Sequence, residues 1–317
     1  MNDTFMNKAF IFPGQGSQKV GMAKDFHDSF PVAKEVFQCV NSTLNYDLSK
    51  IIFEGSDEEL ALTTNTQPAL MATSIAILKV LQQETGKNIT NLCDVVSGHS
   101  LGEYSALCAA EAISLEDTAK LLKIRASSMQ EASPKGEGAM AACLGISYSD
   151  LNELLNTLVT EGVCQIANDN VEGQIVISGH EYNVDRIIAT LKDTGHRAIK
   201  LKVSAPFHSS LIKNAQKPMQ VALNQTTIEP PKVQLLANVS AELVSDPKII
   251  KQNLVTQICG TVRWRETMDK FAELGITELV EIGSGRVLSG LAKKSPYSFK
   301  ISNIDSLESL KNYISSI

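Results

Sequence analysis

The stretch LCDVVSGHSLGEYSALCAA, Leu92 to Ala110, decides the fold. Leu92 to Ser97 is a short apolar run and reads as a buried strand. Gly98 opens a turn, and Leu101 to Ala110, rich in Ala and Leu, reads as a helix. Gly98-His99-Ser100-Leu101-Gly102 matches G-x-S-x-G in the strand-turn-helix setting that a nucleophile elbow requires. The glycines allow a sharp turn that exposes the Ser100 hydroxyl. The helix N-terminus behind it offers N–H groups to a developing oxyanion. Without chemistry, the same residues make a tight turn with a helix-capping serine.

Outward from this stretch, strands and helices alternate. Ala9 to Phe12 is a strand candidate ended by Pro13-Gly14, and three helical stretches follow it before Leu92. Ser114, with Asp117 three residues on, opens a helix that runs to about Ala132. Ser133-Pro134-Lys135-Gly136 breaks it. Then come a strand at Gly138 to Leu144, a helix at Ser147 to Thr160 and a strand at Val163 to Asn168. After an Asn168-Asp169-Asn170 turn follow a strand at Gly173 to Ser178, a helix at Tyr182 to Thr194 and a strand at Arg197 to Val203. This β-α-β-β-α-β order is the split βαβ, ferredoxin-like signature. We expect an insertion over 135–205 in a larger α/β domain formed by 1–134 and 206–317. In the last part a helix at Ser209 to Asn224, strands at Val233 to Leu236 and Glu278 to Ile282, and a helix from Val287 are expected. The alternation predicts a mostly parallel sheet covered on both faces.

Composition narrows the function. The 317 residues are 43% hydrophobic and 20% charged, enough for a substantial core. A net charge of −6 argues against general nucleic-acid binding. The most apolar run, Pro68 to Leu81, is interrupted by Thr73, Ser74 and Lys79 and falls short of a bilayer span. The Met-Asn-Asp-Thr start lacks the basic and apolar regions of a signal peptide. Six cysteines without a CxxC pair are expected to be reduced thiols in a cytoplasmic protein.

A serine nucleophile needs a base. His180 and His196 fall at turns of the insertion and read as surface residues, whereas His208 follows Pro206, where the main domain resumes. With 109 residues after His208 and no acid in an evident place, the order departs from that of a simple esterase. Arg125 falls inside the apolar arc formed by Leu115, Ala119, Leu122, Ala126 and Met129. A buried guanidinium needs an anionic partner, either a structural carboxylate or a substrate carboxylate held in a bidentate clamp. Pro13-Gly14-Gln15-Gly16 and Gly283-Ser284-Gly285 follow strands, but Lys19 and Leu288 stand where a dinucleotide fingerprint needs its third glycine.

Six ordered motifs carry a resemblance. They are Phe12-Pro13-Gly14-Gln15-Gly16-Ser17-Gln18, Asn65-Thr66-Gln67-Pro68-Ala69, Gly98-His99-Ser100-Leu101-Gly102-Glu103-Tyr104, Pro206-Phe207-His208-Ser209, Val262-Arg263-Trp264 and Glu281-Ile282-Gly283. Over nearly its full length the chain resembles the malonyl-CoA:acyl carrier protein transacylases of bacterial type II fatty acid synthesis. The resemblance implies an α/β-hydrolase-like large domain with an inserted ferredoxin-like subdomain. It implies Ser100 as nucleophile and His208 as base, the latter oriented by the main-chain carbonyl of Gln257 instead of an acid. It further implies an oxyanion hole of the Gln15 and Leu101 amides, and Arg125 as reader of the malonyl carboxylate. Gln67 and Asn168 match motif positions near the site without an assigned role, and His99 is expected to support the structure. Leu101 and Phe207 resemble malonyl-selective members.

Malonyl-CoA and acyl carrier protein are then substrate and partner, with no metal or redox cofactor and a monomeric enzyme expected. The acidic carrier would meet the basic stretch Arg186 to Lys217, seven Lys/Arg against Asp193 alone, unless that face is merely solvated. A trans-acting malonyltransferase of a polyketide pathway, a carboxylesterase and a catalytically dead carrier-binding module remain as rival readings.

Overall fold

The computed structural model describes residues 6–134 and 136–317. The Met1-Asn2-Asp3-Thr4 start and Lys135, the first residue of the expected insertion, lie outside the described residues. Among the described residues ten strands form two sheets: β1 Lys8–Phe12, β2 Val95–Gly98, β3 Gly138–Leu144, β4 Cys164–Val171, β5 Gln174–His180, β6 Arg197–Lys200, β7 Gln234–Leu236, β8 Leu243–Val244, β9 Glu278–Ile282 and β10 Lys300–Ile304. The larger sheet has the order β10-β9-β1-β2-β7-β8 and is parallel except for the β7–β8 pair.

Its central strands are mostly apolar because both faces are covered, with Ser97 and Glu281 as buried exceptions. Phe10, Phe12, Val96, Val280 and Ile282 enter the core on one face. Ala9, Ile11, Val95 and Leu279 alternate with them and pack on the other face around Trp264 and Phe271. The Thr63–Thr85 helix is buried along most of its length in the first of these cores. No helix among the described residues is long and apolar enough to cross a membrane.

The smaller sheet is antiparallel, with the order β4-β5-β3-β6, and has its own core with the Tyr148–Leu158 and Glu181–Asp193 helices. Along the chain its elements run β3, helix, β4, β5, helix, β6.

Four expectations need correction. Asn168-Asp169-Asn170 is not a turn but the bulged end of β4, with register shifts after Ile166 and Asp169. The bulge lets β4 pair with β5 on one edge and with Val262 on the other: Asp169 N donates to Val262 O, and Val262 N to Ala167 O, each at 2.9 Å. Buried Asp169 then pairs with Arg265 at 2.9 Å, fixing the smaller sheet to the larger unit. The three helical stretches before Leu92 are five helices, divided where Phe30 and Leu62 leave the helical region and Asn45 turns left-handed. The helix expected from Ser209 starts as a 3-10 segment, Ser210–Ala215, bent at Ile212, before the Gln216–Gln225 helix. Finally, β10 and the Leu307–Ile314 helix extend the larger unit beyond the elements read from the sequence.

Candidate active site

Ser100 stands between β2 and the Gly102–Ala109 helix with φ +55°, a left-handed backbone that a serine seldom adopts. The two motif glycines serve clearance. A Cβ at Gly98 would lie 2.0 Å from Gly102 O, and one at Gly102 would lie 2.3 Å from Phe12 O. Both peptide groups of Ser100 are held by side-chain amides. Its N–H donates to Asn238 Oδ1 at 2.7 Å, and its C=O accepts from Gln257 Nε2 at 3.0 Å. These bonds offset the backbone strain.

Ser100 Oγ lies 2.7 Å from His208 Nε2. His208 also has positive φ, +56°, and is buried. Its Nδ1 faces two main-chain carbonyls, Gln257 O at 2.8 Å and Gly260 O at 3.1 Å. Carbonyls only accept, so Nδ1 carries the proton and Nε2 is left to accept from the serine. Burial first, and the Arg125 charge second, push the imidazole down to about 3. A depressed pKa keeps the base neutral above it. Loading of the serine, read as kcat/KM against pH, is therefore expected to stay flat through about pH 6.5, where an ordinary histidine titrates. An acid limb at that ordinary position would overturn the assignment.

Arg125 comes from the Leu115–Glu131 helix and is 1% exposed. NH1 donates to Gln67 Oε1 at 2.9 Å. NH2 donates to Gln257 Oε1 at 2.8 Å and to Ser100 Oγ at 3.1 Å. None of these acceptors is a carboxylate, so the structural ion pair weighed for this residue is not what holds it. Nε has no partner among the described residues, and the Tyr104 ring lies 5.6 Å from the guanidinium carbon. Burial lowers its pKa.

The cleft above Ser100 encloses about 320 Å³. Gln15 and Leu101 line it, and neither of their amides donates to another main-chain carbonyl among the described residues. The smaller sheet contributes Met140 and Asn168, and the segment after it Leu201, Lys202 and Val203. His99 turns away: its Nε2 is 2.8 Å from Asn170 Oδ1, and its ring packs on Trp264. His180 and His196 stay apart, bonded to Val163 N and Thr194. The two glycine-rich turns meet where Ser284 Oγ donates to Ser17 O at 2.7 Å.

Three roles were not read from the sequence. Gln257 acts with its side chain as well as its carbonyl. Asn238 bonds Ser100 N and Gly98 O, and no local pattern marks it. Glu103 is 1% exposed, accepts from Gln257 Nε2 at 2.6 Å and from Asn238 N at 3.3 Å, and is pushed up to about 7 by burial. An acid within the apolar run after Gly102 was the available signal.

An acyl-transfer site on a mostly parallel α/β sheet agrees with the comparisons. Residues 9–308 match the acyl transferase domain family, and the chain belongs to that family. The malonyl CoA-acyl carrier protein transacylase of Bacillus subtilis strain 168 is 45% identical over 288 residues, covering 90% of this chain and 89% of that protein. The acyl-carrier-protein S-malonyltransferase structure from Bartonella henselae superposes with a TM-score of 0.95 at 46% identity, covering 98% of this chain and 99% of that one. A malonyl-transacylase solved in complex with a type II PKS acyl-carrier protein gives 0.94 at 36% identity, over 98% and 99% of the two chains.

Proposed function

We infer that the protein is an acyl-carrier-protein S-malonyltransferase of fatty acid synthesis, moving malonyl from malonyl-CoA to the phosphopantetheine thiol of acyl carrier protein. One observation carries the reading: a single hydroxyl, Ser100 Oγ, lies beside a neutral base and a buried cation. The relatives' names agree with it.

His208 Nε2 takes the proton as Ser100 Oγ attacks the thioester carbon. The Gln15 and Leu101 amides receive the developing oxyanion. The C–S bond breaks, and the leaving thiolate takes the proton back from His208. The malonyl-serine waits while the incoming thiol gives its proton to His208, attacks the ester and regenerates Ser100. Arg125 meets the distal carboxylate, exchanging its bond to Ser100 Oγ for a charge-assisted one. Every proton moves through one imidazole, so the reading requires no metal or redox cofactor.

The finer architecture belongs to the same reading. The sheet order β4-β5-β3-β6 with two helices supports a ferredoxin-like subdomain inserted over 135–205. The nucleophile turn on a parallel sheet supports a hydrolase-like large domain over 1–134 and 206–317. We read the carrier as approaching along Arg186 to Lys217. Lys200 is already held by Glu181 at 2.6 Å and Asp185 at 2.8 Å, so Lys202, exposed at the cleft, is the better contact. We read the protein as a monomer, checked by native mass. Six free cysteines suit the reducing cytoplasm.

Intact mass tests the reading in two half-reactions. The protein is expected to gain one malonyl group from malonyl-CoA and to lose it to holo-carrier protein. Failure to form the adduct would sink the transferase; rapid loss as free malonate would favour an esterase. Charge reversal at Lys202 should slow discharge onto the carrier much more than loading; equal effects on both would remove the docking role. A neighbour solved with a polyketide carrier supports a second pathway, and faster discharge onto a polyketide than a fatty-acid carrier would favour it.

A further inference from the structure

Gln257 touches Ser100, His208 and Arg125 at once. Its main-chain O accepts from His208 Nδ1, its Oε1 accepts from Arg125 NH2, and its Nε2 donates to Ser100 O. Only one orientation of its amide serves. Turned over, it would set NH2 against the guanidinium and oxygen against the Ser100 carbonyl. The second acceptor on Nε2, Glu103 Oε2 at 2.6 Å, lies at the far end of this array from the cleft. Glu103 also accepts from the main-chain N of Asn238, whose side chain holds Ser100 N–H. One buried carboxylate therefore stands behind both amides that clasp the left-handed Ser100.

We propose that Glu103 is a positioning residue for acyl transfer: by fixing the Gln257 side-chain amide, it aims the Arg125 guanidinium at the acyl group's carboxylate and steadies the main chain of Ser100. Glu103 does not line the cleft. Its distance from the chemistry is bridged by one hydrogen-bonded amide. A neutral amide at 103 could present either its oxygen or its nitrogen to Gln257, so the charge, as well as the shape, sets the orientation. Asn238 contributes through a weaker 3.3 Å contact, so the larger effect runs through Gln257.

The inference rests on the malonyl-transfer reading, and its test separates the two. Single-turnover acyl-serine formation is followed by quenched intact mass with malonyl-CoA and acetyl-CoA at about pH 8, where Glu103 is ionised. The unsubstituted protein, Glu103→Gln, Gln257→Met and the double variant are compared. Loss of the malonyl adduct in the unsubstituted protein would refute the transferase and leave Glu103 aside. With that adduct present, Glu103→Gln is expected to slow malonyl loading roughly 10- to 100-fold, the scale of a displaced reacting group. Acetyl loading should slow less, so the malonyl-to-acetyl ratio falls. In the Gln257→Met background the Glu103→Gln effect should shrink to about twofold or less, because the relay is already gone.

An unchanged ratio, or the same Glu103→Gln penalty in both backgrounds, would overturn the proposal. A purely structural carboxylate would lower thermal stability and slow both thioesters alike. If Glu103→Gln fails to fold, Gln257→Met alone decides. It keeps the main-chain bond to His208 and should still lose malonyl selectivity; a retained ratio overturns the relay.

Discussion

Ser100→Ala is expected to abolish the malonyl adduct, with no mass gain on incubation with malonyl-CoA. Among the described residues the hydroxyl is the only group in contact with both His208 Nε2 and Arg125 NH2, so no described neighbour takes its place. His208→Ala should keep the adduct but form it roughly 10²-fold or more slowly, the scale of a lost general base. The two losses should not add. Once the oxygen is gone, the imidazole has no proton to take, and the double variant should be no slower than Ser100→Ala alone. An adduct that persists in Ser100→Ala would move the nucleophile elsewhere. Unchanged loading in His208→Ala would require another base.

Arg125→Ala should lower malonyl loading by roughly 10²-fold and raise acetyl loading relative to it. Malonyl and acetyl thioesters offer the same carbonyl to Ser100 and differ at the far carboxylate. Leaving a buried charge without its partner costs about 3–5 kcal/mol. Here the guanidinium keeps hydrogen bonds to two glutamine oxygens, which puts the acetyl penalty towards the lower end of that range. The alanine variant removes that penalty along with the malonyl contact. It also leaves the Oε1 atoms of Gln67 and Gln257 without their donor, so circular dichroism and a thermal melt must accompany the rates. A folded variant that retains the malonyl preference would assign the carboxylate to another residue. Unfolding would point to a structural role for the cation.

What the sequence disclosed follows from how local each signal is. β1, β2 and β9 could be read because burial on both faces leaves short, mainly apolar runs, broken by a residue or two such as Ser97 and Glu281. Edge strand β10 is largely half-exposed and has no such run. Asn168 to Asn170 have turn-forming side chains, but pairing with Val262 and Arg265, about 95 positions away, overrides that preference. Ser100 announces itself through its neighbours, and Arg125 as a charge in an apolar arc. Asn238 meets Ser100 across 138 positions, and nothing beside it in the chain reveals the meeting. Gln257 could be placed only by resemblance, which supplied its carbonyl and missed its amide.

The segment from Cys259 to Val262 joins the two halves of the molecule and also carries Gly260, one of the carbonyls that keep His208 in its working tautomer. Gln165 Nε2 donates to Cys259 O at 3.2 Å, and Thr261 Oγ1 to Ile166 O at 2.7 Å, so the smaller sheet is laced to the same segment. Proton handling is thus wired to assembly. A chain whose smaller sheet is not yet seated would have a complete serine turn and the Gln257 carbonyl on His208, but a loosened Gly260 carbonyl. Immature copies would load malonyl groups more slowly, and full speed would arrive with the last piece of the fold.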